Sequence, residues 1–148
     1  MDCVFCALLE GRLPADIVYS DAQHVVLLDI YPLRPWHVLI VSRQHAPFLS
    51  DLQAPARDSL LALAERLGRA LRRADPCIAG VNLLLNDGPL ANQHIAHLHL
   101  HLIPRRRGDL PALCWRILTR FLPFGRARLQ RRLREQTQCL RQALAEEG

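Results

Sequence analysis

Three histidines at every second position, His97, His99 and His101, constrain the fold of this chain more than any other feature of its sequence. A leucine follows each of them. Because successive side chains of a β-strand point to opposite faces, the pattern predicts a strand whose leucines pack on the core. The three imidazoles would then share the other face, about 7 Å apart, and line a surface or a cleft.

The rest of the pattern predicts an α+β domain. Short strands are expected on both sides of one long amphipathic helix, Pro55–Arg73, which leaves too few helices for a doubly wound sheet. We therefore expect a mainly antiparallel five-stranded sheet, a long helix and a helical C-terminal extension with an amphipathic stretch at Gly125–Ala145. The predicted strands are Ile17–Tyr19, Val25–Leu28, His37–Val41, Ala79–Leu85 and His94–Ile103, with Pro104 ending the last one.

The bulk composition indicates one globular domain. The chain has 148 residues, of which 50% are hydrophobic and 22% charged. No apolar run reaches the roughly 18 residues that a membrane span needs, and the N-terminus lacks the basic region of a secretion signal. We therefore expect a cytoplasmic protein with no membrane partner. Five cysteines, an odd number, argue against a disulfide framework.

The basic residues concentrate towards the C-terminus. Residues 105–148 carry 11 of the 19 basic residues, all of them arginines, and only four of the 14 acidic ones. We expect residues 108–148 to be a basic, partly helical extension that packs on the domain or on a partner subunit. Two explanations of the arginines are open: a compositional bias of the sequence, or a surface that attracts anions. A membrane-surface helix and a nucleic-acid contact are alternatives, and neither is expected.

Two kinds of chemistry fit the three histidines. Imidazoles on one strand face bind transition metals. Alternatively, one imidazole, which is a nucleophile in its neutral form near pH 7, attacks phosphorus while its neighbours orient it. The histidines by themselves leave both interpretations open.

The sequence around the histidines resembles the signature of the histidine triad (HIT) family of nucleotide hydrolases and transferases, in its bacterial type. The matching stretch runs from Asn86 to Arg105, and further motifs precede it in the family's order. The resemblance covers about residues 1–107, which we take as the domain. The upstream motifs are Cys3-Val4-Phe5-Cys6, Leu13-Pro14-Ala15, Val18-Tyr19, Leu28-Asp29-Ile30, Pro35–Val41 and Arg43-Gln44-His45.

The resemblance implies that His99 attacks the α-phosphorus and becomes nucleotidylated. The backbone carbonyl of His97 would fix the tautomer of His99, while His101 and His37 would hold the phosphate or order the cluster. His37 could equally be a buried core histidine, Asp29 a turn cap, and the apolar positions plain core. The implied nucleotide-binding residues are Phe5, Leu8, Leu27 and Ile30 for the base, Asp29 for the ribose, and Asn86, Gln93 and His94 on the phosphate and leaving-group side.

Three positions depart from the family pattern. Trp36 and Asn92 stand where glycine is usual, and His94 stands where small or hydroxyl residues are common. We expect Trp36 to reshape the cleft entrance, whereas Asn92 tolerates a left-handed backbone. His94 would face away from the three histidines if the strand were regular, so a turn would have to re-aim it.

Cys3 and Cys6 have the spacing of two zinc ligands. The resemblance implies that His45 and His97 complete a tetrahedral structural zinc site; free buried thiols are the alternative. In that case the His97 ring belongs to the metal, and only the His97 backbone serves catalysis.

The resemblance therefore implies a nucleotide hydrolase or nucleotidyl transferase that needs no cofactor for catalysis and forms a homodimer. The expected substrates are purine-nucleoside phosphoramidates and dinucleoside polyphosphates. Arg105–Arg107 either meets the extra phosphates of the latter or is a solvated strand end. A nucleotide-binding adaptor with vestigial catalysis and a metal-dependent enzyme that uses the histidines as ligands are the alternatives.

Overall fold

The architecture is a five-stranded antiparallel sheet with its long helices packed on one face. The computed structural model describes residues 3–122 and 125–146. The strand order is β1-β2-β3-β5-β4, and every neighbouring pair is antiparallel, which confirms the predicted fold class. The strands are β1 (Ile17–Ser20), β2 (His24–Leu28), β3 (Val38–Ser42), β4 (Gly80–Leu85) and β5 (His99–Arg105).

Four α-helices accompany the sheet in the described residues. The longest begins with a proline in its first turn and ends at Ala74; its C-cap, Asp75, precedes Pro76, and a proline disfavours helix at the residue before it. No described helix is both long enough and apolar enough to cross a bilayer. The helices are α1 (Val4–Leu9), α2 (Ala54–Ala74), α3 (Leu110–Thr119) and α4 (Arg126–Ala145).

The main core lies between the sheet and helices α2 and α4. Alternate residues of the central strands, such as Val26 and Ile40, face these helices, whereas Val25 and Val41 face the opposite side and pack with Phe5. Both faces of the central strands are thus covered, which explains their continuous apolar sequence. Helix α4 contributes Leu133, Leu140, Ala143 and Leu144 to this main core, so the end of the extension is part of it.

The boundaries of β5 differ from the predicted ones. The strand begins at His99, because the backbone bends at residues 95–97. After this bend the N–H of Leu98 donates to the carbonyl of Ala46, in the loop that follows β3. It also continues through Pro104 to Arg105. There β5 pairs with β4 alone, since its pairing with β3 ends at Leu102, and a proline is tolerated where one strand edge is free.

Candidate active site and an adjacent cysteine cluster

His99 has the geometry of a nucleophile. Its Nδ1 lies 2.7 Å from the backbone oxygen of His97, and because a carbonyl only accepts, Nδ1 carries the proton and donates it. The lone pair of Nε2 is left free. Burial lowers the pKa of His99, so the ring is neutral near pH 7. An imidazole in this state is able to attack phosphorus.

A series of hydrogen bonds fixes the orientation of the His101 imidazole, which lies beside His99. The backbone N–H of Leu33 donates to Nδ1 of His37 at 3.1 Å, so His37 carries its proton on Nε2. This Nε2 lies 3.0 Å from Nδ1 of His101 and donates to it, which leaves the His101 proton on Nε2. Burial lowers the pKa of His37 and of His101 to about 3. We call His37, His101 and His99 the histidine chain; its last two rings lie 4.9 Å apart, centroid to centroid.

Asp29 follows β2 and lies beside the histidine chain. Its Oδ1 accepts from the backbone N–H of Tyr31 at 2.8 Å, and its Oδ2 lies 3.5 Å from Nδ1 of His37. Its charge opposes the effect of burial on the pKa of His99 and of His101. Asp29 therefore closes a turn and also places a carboxylate at the edge of the histidine face.

The residues predicted to hold the base line the histidine face, with one exception. Phe5 is buried, and its ring centroid lies 5.1 Å from that of His99. Leu27 belongs to the same apolar cluster, and Leu8 packs against it. Ile30 lies outside this cluster and is 63% exposed. The structure thus brings three of the four predicted residues together near the nucleophile.

The predicted polar positions stabilise the loop before β5. Asn86 donates from Nδ2 to the backbone oxygen of Asn92 at 3.3 Å, and Asn92 has a left-handed φ of 67°. Gln93 is buried; its amide nitrogen donates to the Pro47 carbonyl at 2.7 Å, and its oxygen accepts from the Gly88 N–H. Both amides thus bond within this part of the chain, Asn86 to its own loop and Gln93 to Gly88 and Pro47.

The C-terminal extension contacts Tyr31 and His94, which the sequence did not predict. The ring of Phe121 lies 5.3 Å from that of Tyr31 and 6.5 Å from that of His94, between centroids. Arg120 stacks on Phe121 at 4.6 Å. Its charge adds to burial in lowering the pKa of two rings of the histidine chain. The sequence of this segment mixes apolar residues with arginines, which indicates a contact surface but does not identify the residues that it contacts.

Cys3, Cys6, His45 and His97 form a second group, which we call the thiol–imidazole cluster. Their donor atoms all lie within 4.8 Å of one another. Nδ1 of His97 is 3.4 and 3.6 Å from the two sulfurs and 3.3 Å from Nδ1 of His45. A tetrahedral zinc ion with ligands at about 2.0–2.3 Å holds its donor atoms about 3.3–3.8 Å apart. The spacing therefore suits zinc.

His97 contributes to both groups through different atoms. Its Nε2 lies 2.7 Å from the carbonyl oxygen of Ser42 and donates to it, so the proton-free Nδ1 points into the thiol–imidazole cluster. Metal-binding histidines commonly donate their other N–H in this way. The carbonyl of His97 meanwhile accepts from His99. The ring thus faces the cysteines, and the backbone supports the nucleophile.

Two other sequence features lie away from the histidine face. Trp36 has a left-handed φ of 66°, and its indole packs on the main core and donates to Asp75 at 3.1 Å. It therefore faces the helices, contrary to the expectation that it shapes the cleft entrance. Arg105 forms an ion pair with Asp109 at 2.7 Å, and Arg106 forms one with Asp75. Both arginines thus have carboxylate partners within the chain.

Comparisons with known proteins show which family the chain resembles. The family model described as the HIT domain matches residues 10–108. An uncharacterised HIT-like protein of Mycobacterium tuberculosis is 37% identical over 74% of this chain and 75% of its own length. An adenosine 5'-monophosphoramidase of Candida albicans is 31% identical over 70% of each chain. An adenylylsulfatase of Arabidopsis thaliana is 33% identical over 73% of this chain and 54% of its own.

Solved structures match nearly the full chain. A Zn-bound histidine triad family protein from Mycobacterium smegmatis has a TM-score of 0.78 and 33% identity, over 99% of this chain and 95% of that one. A histidine triad nucleotide-binding protein from Sulfolobus tokodaii has a TM-score of 0.80 and 25% identity, over 97% and 93%. The C-terminal extension thus has counterparts in these two structures, although the family model ends at residue 108.

Proposed function

The chain belongs to the histidine triad family, and from this premise we propose that it is a nucleotide hydrolase or nucleotidyl transferase that reacts at the α-phosphate through His99. The observation that carries the proposal is the 2.7 Å bond from Nδ1 of His99 to the His97 carbonyl. It fixes the one tautomer that leaves Nε2 free to attack. A neutral ring and a donor on His101 beside it complete the requirements for attack on a phosphate.

The proposed reaction has two displacements at phosphorus. In the first, Nε2 of His99 forms a bond to the α-phosphorus while the bond to the leaving group breaks; the leaving group departs with that electron pair, and the nitrogen of a phosphoramidate takes up a proton from water so that it leaves as a neutral amine. The N–H on Nε2 of His101 stabilises the charge on the phosphoryl oxygens. In the second, water forms the new P–O bond and releases a proton to the solvent, the Nε2–P bond breaks with its electron pair returning to Nε2, and the neutral ring is restored. In a transferase another acceptor replaces water.

We propose a purine nucleotide as the substrate. The apolar surface of Phe5, Leu8 and Leu27 would hold the base, and the Asp29 carboxylate would accept from the ribose hydroxyls. Because Arg105 and Arg106 already have carboxylate partners, a substrate with a single phosphate fits better than a dinucleoside polyphosphate. The names of the Candida and Arabidopsis relatives point to adenosine 5'-phosphoryl compounds. A purine-nucleoside phosphoramidate is therefore our first candidate.

We propose that the thiol–imidazole cluster holds a structural zinc ion. Two thiolates and two imidazoles form a closed donor set with no place for a reactive water, as in structural zinc sites. The ion would tie α1 to the loop before β5 and would supply no step of the reaction. The Mycobacterium smegmatis neighbour, described as Zn-bound, supports the same assignment.

We also propose a homodimer in the cytoplasm. In the described residues β4 pairs with β5 alone, and Leu83 and Leu84 of β4 are 51% and 42% exposed. An open strand edge with exposed leucines favours pairing with another copy. Light scattering on the purified chain measures the mass directly. A monomer at micromolar concentration contradicts the dimer without affecting the proposed reaction.

Intact-protein mass spectrometry after millisecond mixing with adenosine 5'-phosphoramidate tests the function. We expect an added mass of one adenylyl group, mapped by fragmentation to His99 and absent in His99→Ala. Tight nucleotide binding with neither adduct nor product would favour an adaptor protein. Loss of turnover on chelation, with the fold intact, would favour a metal-dependent enzyme. Either result contradicts the proposal.

A further inference from the structure

A cavity of about 540 Å³ lies between the β2–β3 loop and the helices of the C-terminal extension. Its walls include Arg34 and Trp36 from the loop, Arg116 from α3, and Arg128 and Arg132 from α4. No residue of the histidine chain lines it. The volume falls within the range of about 300–1,000 Å³ that is usual for small-molecule sites.

The arginines around this cavity differ in how far they are neutralised. Arg34 forms an ion pair with Asp109 at 3.2 Å. Arg116 donates at 3.0 Å to the carbonyl of Pro32, an uncharged acceptor, so its charge is not compensated there. Arg106, which also lines the cavity, is paired with Asp75.

Helix α4 supplies the charges that have no partner. Arg128 and Arg132 lie one turn apart, line the cavity together, and have no acceptor among residues 3–122 and 125–146. The carboxylate on the cavity wall, Glu135, is bound to Arg131 at 3.0 Å. Together with Arg116, the cavity therefore presents three cations without a matching anion.

An apolar wall stands beside these cations. Trp36 adopts its left-handed φ of 66° where a bulky side chain is costly, and its indole is anchored to Asp75. Leu129, from the same turn of α4 as Arg128, also lines the cavity. Trp36 and Leu129 thus give the cavity apolar surface in addition to its arginines.

We propose that this cavity binds a small phosphorylated anion with two or more phosphoryl groups. Arginine forks pair with phosphate oxygens in bidentate geometry, and three uncompensated cations match a di- or triphosphate. The apolar wall would accept an organic group attached to the phosphates. The arginines line a single cavity, whereas a nucleic-acid backbone needs an extended basic groove, so a small molecule is the favoured ligand. This site is separate from the catalytic one and does not depend on the reaction proposed for His99.

Fluorescence of Trp36 reports on the site directly. The chain has two tryptophans, so Trp115→Phe, a change at an exposed position, leaves Trp36 as the single indole. In this background inorganic tripolyphosphate should change the emission in a saturable way, with one equivalent bound by calorimetry. The change R128A/R132A should raise the Kd at least about tenfold, because two charge-assisted contacts are lost. The matched control R126A/R134A removes the same charge from exposed positions of the same helix and should stay within about twofold.

Four results would overturn the proposal. They are no saturable signal, equal weakening in both double variants, displacement of tripolyphosphate by adenosine 5'-phosphoramidate, and tighter binding of a single-stranded RNA through Arg128 and Arg132. The second indicates diffuse helix charge, the third places the probe in the catalytic cleft, and the fourth identifies a nucleic-acid surface. Both pairs of side chains are exposed, so we expect both double variants to fold, and thermal melts check this.

Discussion

In the thiol–imidazole cluster the donor atoms converge on one point, whereas in the histidine chain each nitrogen is committed to a directional hydrogen bond or left free to react. Both groups contain buried imidazoles, and His97 connects them. The difference lies in where the protons are. Backbone carbonyls fix the proton of His97 away from the cysteines and that of His99 away from the substrate side. Chemistry at these residues thus depends on which carbonyl each ring meets, and not on residue type.

The largest expected effect separates the two regions through His99. His99→Ala should lower kcat for adenosine 5'-phosphoramidate by at least about 10⁴-fold, because the attacking nitrogen is removed. Zinc content and the thermal unfolding midpoint should stay close to those of the unchanged protein, since the ring lies outside the cluster. Steady-state assays, metal analysis and melts measure the three quantities. A kcat within tenfold of the original contradicts the nucleophile.

The reciprocal experiment removes the cluster. In C3S/C6S we expect loss of bound zinc and an unfolding midpoint lower by about 10 °C or more, because binding energy at a structural metal site is folding energy. The kcat at 20 °C should stay within about threefold, since the His97 carbonyl remains. The control C77S/C114S changes two exposed thiols and should alter neither quantity. A collapse of kcat in the folded C3S/C6S variant would show that the two regions are not separable.

The sequence predicted these two regions unequally well. The alternation of histidines and leucines and the order of the motifs were sufficient to predict the antiparallel sheet and the position of His99 on it. Side-chain periodicity of this kind can be recognised in the local sequence. The turn at residues 95–98 was missed, since it depends on a bond from Leu98 to Ala46, about 50 positions away. The direction of the Trp36 indole was missed because it depends on Asp75 and the packing of α2. Long-range contacts of this kind leave no periodic trace.

His37 tests whether the histidine chain acts through its proton positions. His37→Ala should lower kcat by about 10²-fold, because His101 loses the donor that holds its proton on Nε2. His37→Gln should recover part of this loss, since its amide can accept from Leu33 and donate to His101. Comparison of kcat and KM for the two variants measures the effect. Equal losses in the two variants would contradict the role of the His37 ring as the donor to His101.

Acid should destabilise the protein because His37 and His101 are buried in their neutral forms. The pKa of His37 and of His101 is lowered by burial from 6.5 to about 3. As the pH falls below 6.5 the unfolded chain takes up protons that the folded chain excludes, so stability declines progressively towards pH 3. Urea midpoints measured from pH 7 to pH 4 should therefore fall, and the slope should be shallower in His37→Gln. An unchanged slope would assign the acid sensitivity to other groups.

The smallest expected effect concerns Arg120, in the part of the C-terminal extension whose contacts the sequence did not predict. The charge of Arg120 adds to burial in lowering the pKa of His37 and of His101, so the same charge should attract a phosphate bound beside these rings. Arg120→Ala should therefore raise KM about threefold to tenfold with a smaller change in kcat, while Arg126→Ala, on the same extension, should change neither. The modest size follows from the exposure of this segment, where water screens the charge. Identical kinetics for the two variants would place the extension outside the catalytic region and would restrict its contribution to the packing of α4.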